Sequence, residues 1–293
     1  MRKCDLSHFL RFYIQSIIEN KISITGGDIM KKISKTIENY ESISKEVKFL
    51  PKSMIRLKIL ECLYESPMNM KSINQKTKFN YSAISNNMHM MELGGYIYQE
   101  SNNYFLSNSM RIIMGNMLQL GKLMCLLEYI SPICQDHIVH VLPIDSIITL
   151  HHLYDVDLVE SDGLNVYRTY DIIKKSISKS EYVNAILSLS YKQFNNSFNR
   201  LLSKKKKVHI MAPADIKEFL IKDLNVSNDN LKIDFMDSDV VSYILLLCTD
   251  TKMILGFFKD DENFDQNRLL ISTEDECIKW ANDLFEHFKK ENI

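Results

Sequence analysis

Apolar residues along this chain recur with two different periods, and the point where one replaces the other divides it. Up to about residue 131 the period is helical. Residues 53–65 carry Ile55, Ile59, Leu60 and Leu63 on one stripe, and Ser66-Pro67 stops it. A short helix over 70–76 follows, with Asn69 as its cap, Met70 and Ile73 inward, and Lys71, Lys76 and Lys78 outward. Residues 77–80 make a tight turn into a third helix. There Asn80 caps the start, Ile84, Met88 and Met91 share one face, and Gly94-Gly95 ends it. The other side presents Tyr81, Ser82, Ser85, Asn86 and His89. Residues 96–99 and 104–106 then favour strands around a turn at 100–103. Three helices followed by a hairpin predict a winged helix-turn-helix whose third helix enters the major groove.

Residues 107–131 predict one long helix. Met110, Ile113, Met117, Leu120, Met124 and Leu127 are spaced 3, 4, 3, 4, 3, an a/d seam sustained for about three heptads. Leu123 and Ile130 widen it. The seam suits a homodimer, and its breadth equally suits packing on the chain's own domains. Beyond residue 131 the pattern alternates. Strands are expected at 158–160, 182–188, 208–211, 231–235, 243–248 and 253–258. Helices are expected at 170–178, 191–203, 213–222 and, capped by Thr273, up to about 291. The resulting fold class is α+β: a winged helix over 30–106, a linking helix over 107–131, and a mixed α/β regulatory domain over 132–293. Residues 30–47 add a helix with Ile33, Ile37 and Tyr40 on one stripe. Residues 1–29 read as an extension. They fit two readings: an amphipathic helix over Leu6–Glu19, or, since Gly26-Gly27-Asp28 ahead of Met30 is what a purine-rich ribosome-binding site gives when translated, a natural start at Met30 that a native peptide from residues 1–25 would refute.

Charge sharpens the division. The formal net charge of −1 hides 27 basic and 19 acidic residues in 1–207 against 9 basic and 18 acidic in 208–293. A basic front and an acidic back suit a polyanion-binding head on a non-binding body. The six cysteines form no C-x-x-C pair, which fits reduced, cytoplasmic usage. No apolar run reaches the length of a membrane span, so no membrane partner is expected.

The third helix lacks arginine, which removes bidentate reading of guanine. Asn86 can pair with adenine, Ser82, Ser85 and His89 are adaptable, and Tyr81 offers an apolar face to a thymine methyl, so an AT-rich operator on double-stranded DNA is expected. Lys71, Lys76 and Lys78, with Lys52 and Arg56 beside them, would hold phosphates. The expected wing tip, Ser101-Asn102-Asn103, offers Asn102 and Asn103 but no basic residue, which weakens any minor-groove insertion. Few cations imply a shallow salt dependence. Lys204-Lys205-Lys206-Lys207 reads as a solvated loop or helix end.

Cys134, His137 and His140 are three apart, so a single helical face could present them to a metal. If residues 137–141 form a strand instead, His137 and His140 part company, and no metal or other cofactor is then implied. Enzyme readings lack support: there is no Gly-rich phosphate loop, no G-x-S-x-G and no zinc-protease motif. Some regulator domains resemble phospholipase-D halves, but the one H-x-K match, His287-Phe288-Lys289, sits at the end of the last helix with no downstream Asp.

Residues 53–106, through Ile55-Arg56-Leu57-Lys58-Ile59-Leu60, Ile84-Ser85-Asn86-Asn87-Met88 and Gly95-Tyr96-Ile97, resemble archaeal winged-helix regulators of the ArsR-like kind. The C-terminal segments Ile254-Leu255-Gly256-Phe257-Phe258-Lys259-Asp260, Phe264-Asp265, Leu270-Ile271-Ser272 and Ile278-Lys279-Trp280-Ala281-Asn282-Asp283-Leu284-Phe285 are more telling. They resemble methanogen regulators that carry the middle domain named for the methanogenesis and filamentation regulator. The resemblance implies an archaeal, cytoplasmic DNA-binding transcription regulator. Its partners would be DNA, a second copy of the chain, and an effector that the resemblance does not identify. Alternatives are a scaffolding module whose winged helix contacts protein, and a metal-sensing repressor.

Overall fold

The computed structural model describes residues 50, 52–236 and 239–291; the extension and the helix expected over 30–47 lie outside the described residues. The described chain divides into two compact units, parted after Gly121.

The first unit holds α1 (Met54–Glu65), α2 (Met70–Thr77), α3 (Tyr81–Leu93), β1 (Ile97–Glu100), β2 (Asn103–Leu106) and the start of α4 (Asn108–Tyr129). Each short helix begins at a side-chain cap that satisfies an otherwise orphaned backbone N–H. The Ser53 hydroxyl accepts from the Arg56 amide at 3.3 Å, Asn69 from Ser72 at 2.9 Å and Asn80 from Ala83 at 2.7 Å. The core gathers Ile59, Leu60 and Leu63 of α1, Ile73 of α2, Ile84, Met88 and Met91 of α3, Ile97 and Leu106 of the hairpin, and Met110 and Met114 of α4.

Ile97 faces Leu106 and Glu100 faces Asn103, so the hairpin turn is two residues, not four. Ser101 and Asn102 occupy it at φ 48° and 68°, the left-handed pair that a tight hairpin turn demands. Asn103 therefore belongs to the ladder rather than to the tip. An isolated bridge between Met68 and Tyr104 ties the hairpin to the approach to α2.

The a/d seam of α4 does not stay on one face. Met110 is fully buried in the winged-helix core, Met117 and Leu127 are half-buried, and Ile113, Leu120 and Met124 are exposed. A straight helix of 3.6 residues per turn drifts away from a 3.5-residue repeat, and Met114 and Leu126, off the seam, are buried instead. With 22 residues, α4 is also the one described helix long and apolar enough to cross a membrane, contrary to the expectation that no run is. Its buried residues lie in protein cores: Met110 and Met114 in the first unit, Leu126 in the second.

The second unit contains α5 (Ser131–Asp136), α6 (Ile144–Ile148), a 3-10 turn (Leu150–Leu153), β3 (Asp157–Glu160), α7 (Arg168–Lys179), β4 (Tyr182–Leu187), α8 (Lys192–Ser203), β5 (Lys207–Pro213), α9 (Lys217–Asp223), β6 (Leu231–Met236), β7 (Ile244–Thr249), β8 (Met253–Phe257), β9 (Arg268–Ser272) and α10 (Asp275–Glu291). The seven strands form one sheet in the order β3-β9-β8-β7-β4-β5-β6. β4, β5 and β6 are mutually parallel, with α8 and α9 in the connections, and the remaining neighbours are antiparallel.

Both faces of the sheet are covered, so its central strands read as continuous apolar runs. Along β7, Ile244, Leu246 and Cys248 pack with Trp280, Leu284 and Phe285 of α10; Leu245 and Leu247 pack with Ile173 and Ile177 of α7 and Phe194 and Phe198 of α8. Gly256 in β8 permits a close approach, since a Cβ there would lie 2.9 Å from a Leu269 methyl. Two sequence expectations shift. Residues 268–272 form the additional strand β9, and α10 starts at Asp275, one residue later than a Thr273 cap would place it, with the Ser272 hydroxyl accepting from the Glu274 amide at 3.1 Å.

Candidate nucleic-acid interface

The angle between α2 and α3 is set by a three-residue turn. Lys78 takes the left-handed conformation at φ 61°, and its amide bonds the Asn74 carbonyl at 2.9 Å. The Asn74 carboxamide donates to the Phe79 carbonyl at 2.7 Å, and the Thr77 hydroxyl donates to the Ile73 carbonyl at 2.8 Å. Phe79 packs on the core. The turn therefore has both a hydrogen-bonded frame and an apolar anchor.

On α3 the buried positions are Ile84, Met88 and Met91. Tyr81, Ser82, Ser85, Asn86 and His89 are all exposed, as the sequence predicts. Near the C-terminal end of the same helix Met90 and Leu93 are exposed too, at 51% and 72%. One residue was missed. Asn87 lies between the two faces and bridges to α1: its side-chain oxygen accepts from Arg56 Nε at 3.2 Å and from the Ser53 hydroxyl at 3.4 Å. Its nitrogen donates to the Ala83 carbonyl at 2.8 Å. Spacing alone offered no signal for it, because a position flanking the buried stripe fits either face.

The cations sort unevenly. Lys52, Lys71, Lys76 and Lys78 are exposed. Lys76 pairs with Glu65, which raises its pKa above the ordinary lysine value and offsets its charge. Among the described residues Lys71 and Lys78 form no ion pair. The wing carries Glu100 and no basic residue; Tyr98 and Phe105 stack across it at 5.4 Å, with Asn102 exposed at its turn and Asn103 half-buried in β2.

The metal candidates are not brought together on a helix. α5 ends at Asp136, and His137 follows in extended conformation with φ −129°. His137 is buried, with Nδ1 2.7 Å from an Asp136 oxygen and Nε2 2.9 Å from Asp265 Oδ2. Cys134 is half-buried and His140 exposed. The lysine run forms the turn from α8 into β5, where Lys206 pairs with Glu181. In the H-x-K segment Phe288 is buried in the core and Lys289 pairs with Glu286 at 2.8 Å.

A capped trihelical unit with a short wing, ahead of a seven-stranded α/β unit, defines a winged-helix regulatory protein. Residues 44–128 match the model of the N-terminal domain of the methanogenesis regulatory protein FilR1, and residues 166–291 match that of its middle domain. The chain belongs to that family. Among solved structures it is similar to TrmBL2, described as an archaeal chromatin protein with a novel mode of DNA binding, at 10% identity and TM-score 0.36 over 85% of this chain and 99% of that one. It is also similar to PigF with SAH, at 10% identity and TM-score 0.23 over 69% of this chain and 66% of that one. A third is CalO1, described as a methyltransferase in calicheamicin biosynthesis, at 6% identity and TM-score 0.23 over 70% and 66%. These structural likenesses are too distant to carry an argument. No curated protein matches the chain.

Proposed function

We propose that this regulatory protein is a cytoplasmic transcription regulator that binds double-stranded DNA as a homodimer, with α3 in the major groove of an AT-rich operator. The carrying observation is the outer face of α3. Five side chains able to hydrogen-bond stand exposed on a helix whose opposite face is fully buried, and two lysines that form no ion pair among the described residues, Lys71 and Lys78, lie on α2 and in the turn before α3. Asn86 would read adenine, Ser82, Ser85 and His89 would adapt, and Tyr81 would pack on thymine methyls. Lys71, Lys78 and Lys52 would hold phosphates, with Lys76 contributing less because of Glu65. Exposed Ile113, Leu120 and Met124 on α4 support pairing of two copies, which a two-fold operator requires. The α/β unit would take the signal, changing the separation of the two α3 helices.

Gel shifts with the Ser85→Ala, Asn86→Ala double variant test the reading. Affinity for the operator should fall about tenfold or more while nonspecific affinity holds, because each good base pairing is worth about 1–3 kcal/mol of discrimination. Unchanged sequence preference would remove α3 as the reader. A second reading follows from exposed Met90 and Leu93: the end of α3 would then meet a protein partner. Failure of the wild-type chain to bind nonspecific duplex at low salt would favour it.

A further inference from the structure

At the amino ends of β4, β5 and β6 the sheet face beneath α10 changes character. Further along, this face is apolar, with Ile186, Met211 and Met236 in the core. At the strand starts it becomes polar in one aligned row, Asn184 opposite His209 and His209 opposite Lys232, with Asp234 two residues on from Lys232. Asp234 Oδ2 lies 2.7 Å from His209 Nε2 and 2.8 Å from Lys232 Nζ. The His209 ring is also held edge-on by Phe285 of α10 at 5.0 Å, and the Asn184 carboxamide donates to Asn282 of α10 at 3.3 Å. Asn184, His209 and Lys232 border a cleft of about 340 Å³, whose rim adds Lys207 and Asp229. That volume falls in the lower part of the range for small-ligand sites.

Lys207 and Lys232 stand at this mouth together with Asp229, and Lys204 and Lys205 lie exposed in the turn before β5. We propose that the cleft binds a small phosphate-bearing metabolite, with Lys207 and Lys232 as its charge partners and His209 and Asn184 as hydrogen-bonding floor. Lysine ammoniums act as point charges that serve a phosphate without a planar fork. Asp234 and Phe285 fix the His209 ring in advance, so little ordering is lost on binding. The proposal stands apart from the DNA reading, since its test uses no operator.

The experiment titrates the full chain with ribose 5-phosphate, ribose and acetate. The readout is the imidazole NMR resonances of the eight histidines, with His209 assigned by His209→Gln. Ribose 5-phosphate should bind saturably with a Kd on the order of 1 mM or tighter and shift His209. Ribose and acetate should not. The Lys207→Gln, Lys232→Gln variant should weaken binding about tenfold, the effect of losing charge-assisted hydrogen bonds, while Lys204→Gln, Lys205→Gln leaves it unchanged. Equal responses to ribose and ribose 5-phosphate, or equal binding by wild type and the Lys207, Lys232 variant, would overturn it. So would a variant that loses affinity for nonspecific duplex while keeping its affinity for ribose 5-phosphate; the lysines would then be a nucleic-acid surface.

Discussion

Replacing His137 by phenylalanine should destabilise the α/β unit by about 2–3 kcal/mol, the cost of leaving the buried Asp265 carboxylate without one of its hydrogen-bond partners. The two carboxylates at the ring contribute unequally. Asp136 is 53% exposed, so water and salt screen its contact, which is worth under about 1 kcal/mol. Asp265 is 3% exposed and cannot recover its hydration once the ring is gone. It retains the Asn267 amide at 2.9 Å and the Arg268 guanidinium at 3.9 Å, which keeps the cost below the top of the range. Phenylalanine fills the imidazole's space, so a cavity adds little. The chain's single tryptophan supplies the assay. Trp280 is buried in this unit and donates to the Ser146 carbonyl at 3.0 Å, so its fluorescence during urea denaturation follows this unit and not the winged helix. Asp136→Asn is the exposed control and should cost under about 1 kcal/mol. His137→Leu with Asp265→Leu should recover part of the loss, because no buried carboxylate is then left short of its partner, although the Asn267 amide loses its acceptor. A loss below about 1 kcal/mol for His137→Phe, or an equal loss for Asp136→Asn, would refute the reasoning.

Three further outcomes are expected. Lys71→Gln and Lys78→Gln should each weaken DNA binding similarly on all sequences and lower the slope of log affinity against log salt by about 1, whereas Lys76→Gln should do less; equal slopes for all three would contradict the role of Glu65. Leu120→Glu with Met124→Glu should convert a dimer into a monomer of 34.3 kDa in sedimentation velocity, and a wild-type chain already monomeric at operator-binding concentrations would remove the homodimer. At Asp234, burial alone would raise the carboxyl pKa, but hydrogen bonds from Lys232 and His209 outweigh it and hold the group below the ordinary carboxylate range. A depressed folded pKa contributes stability above the unfolded value and loses it as pH falls through the folded one. Asp234→Asn should therefore destabilise the chain at pH 7 and converge with wild type as pH falls through that range, read by urea midpoints; a constant difference would contradict it.

The winged helix was readable because each of its helices announces itself twice, by a cap residue and by an apolar stripe. Asn69 and Asn80 mark two of the starts as caps, whereas Ser53, the first residue of the expected helix, is itself the cap of α1; Ile84, Met88 and Met91 mark the rotation of α3. The hairpin was readable as a pair of strands but not in length, since Ser101 and Asn102 give no hint that both adopt positive φ. The seam of α4 misled for a geometric reason: spacing records which residues share a stripe, not which core each turn of the helix meets. In the second unit, strand order could not be read, because β7, β8 and β9 are apolar at consecutive positions and carry no facial label. Spacing places His137 among candidate metal ligands, whereas the carboxylate at its Nε2 comes from 128 residues away.

The seat of α3 bears on how that helix meets a duplex. The core it shares holds Met88 and Met91 of α3 itself and Met110 and Met114 of α4, four unbranched thioethers among buried leucines and isoleucines. Such chains repack at little cost when their neighbours shift. If α3 enters a groove as proposed, side chains that repack this readily would let it adjust to groove width without opening voids. Substituting these methionines by leucine would then change fit to DNA although none of them faces the bases.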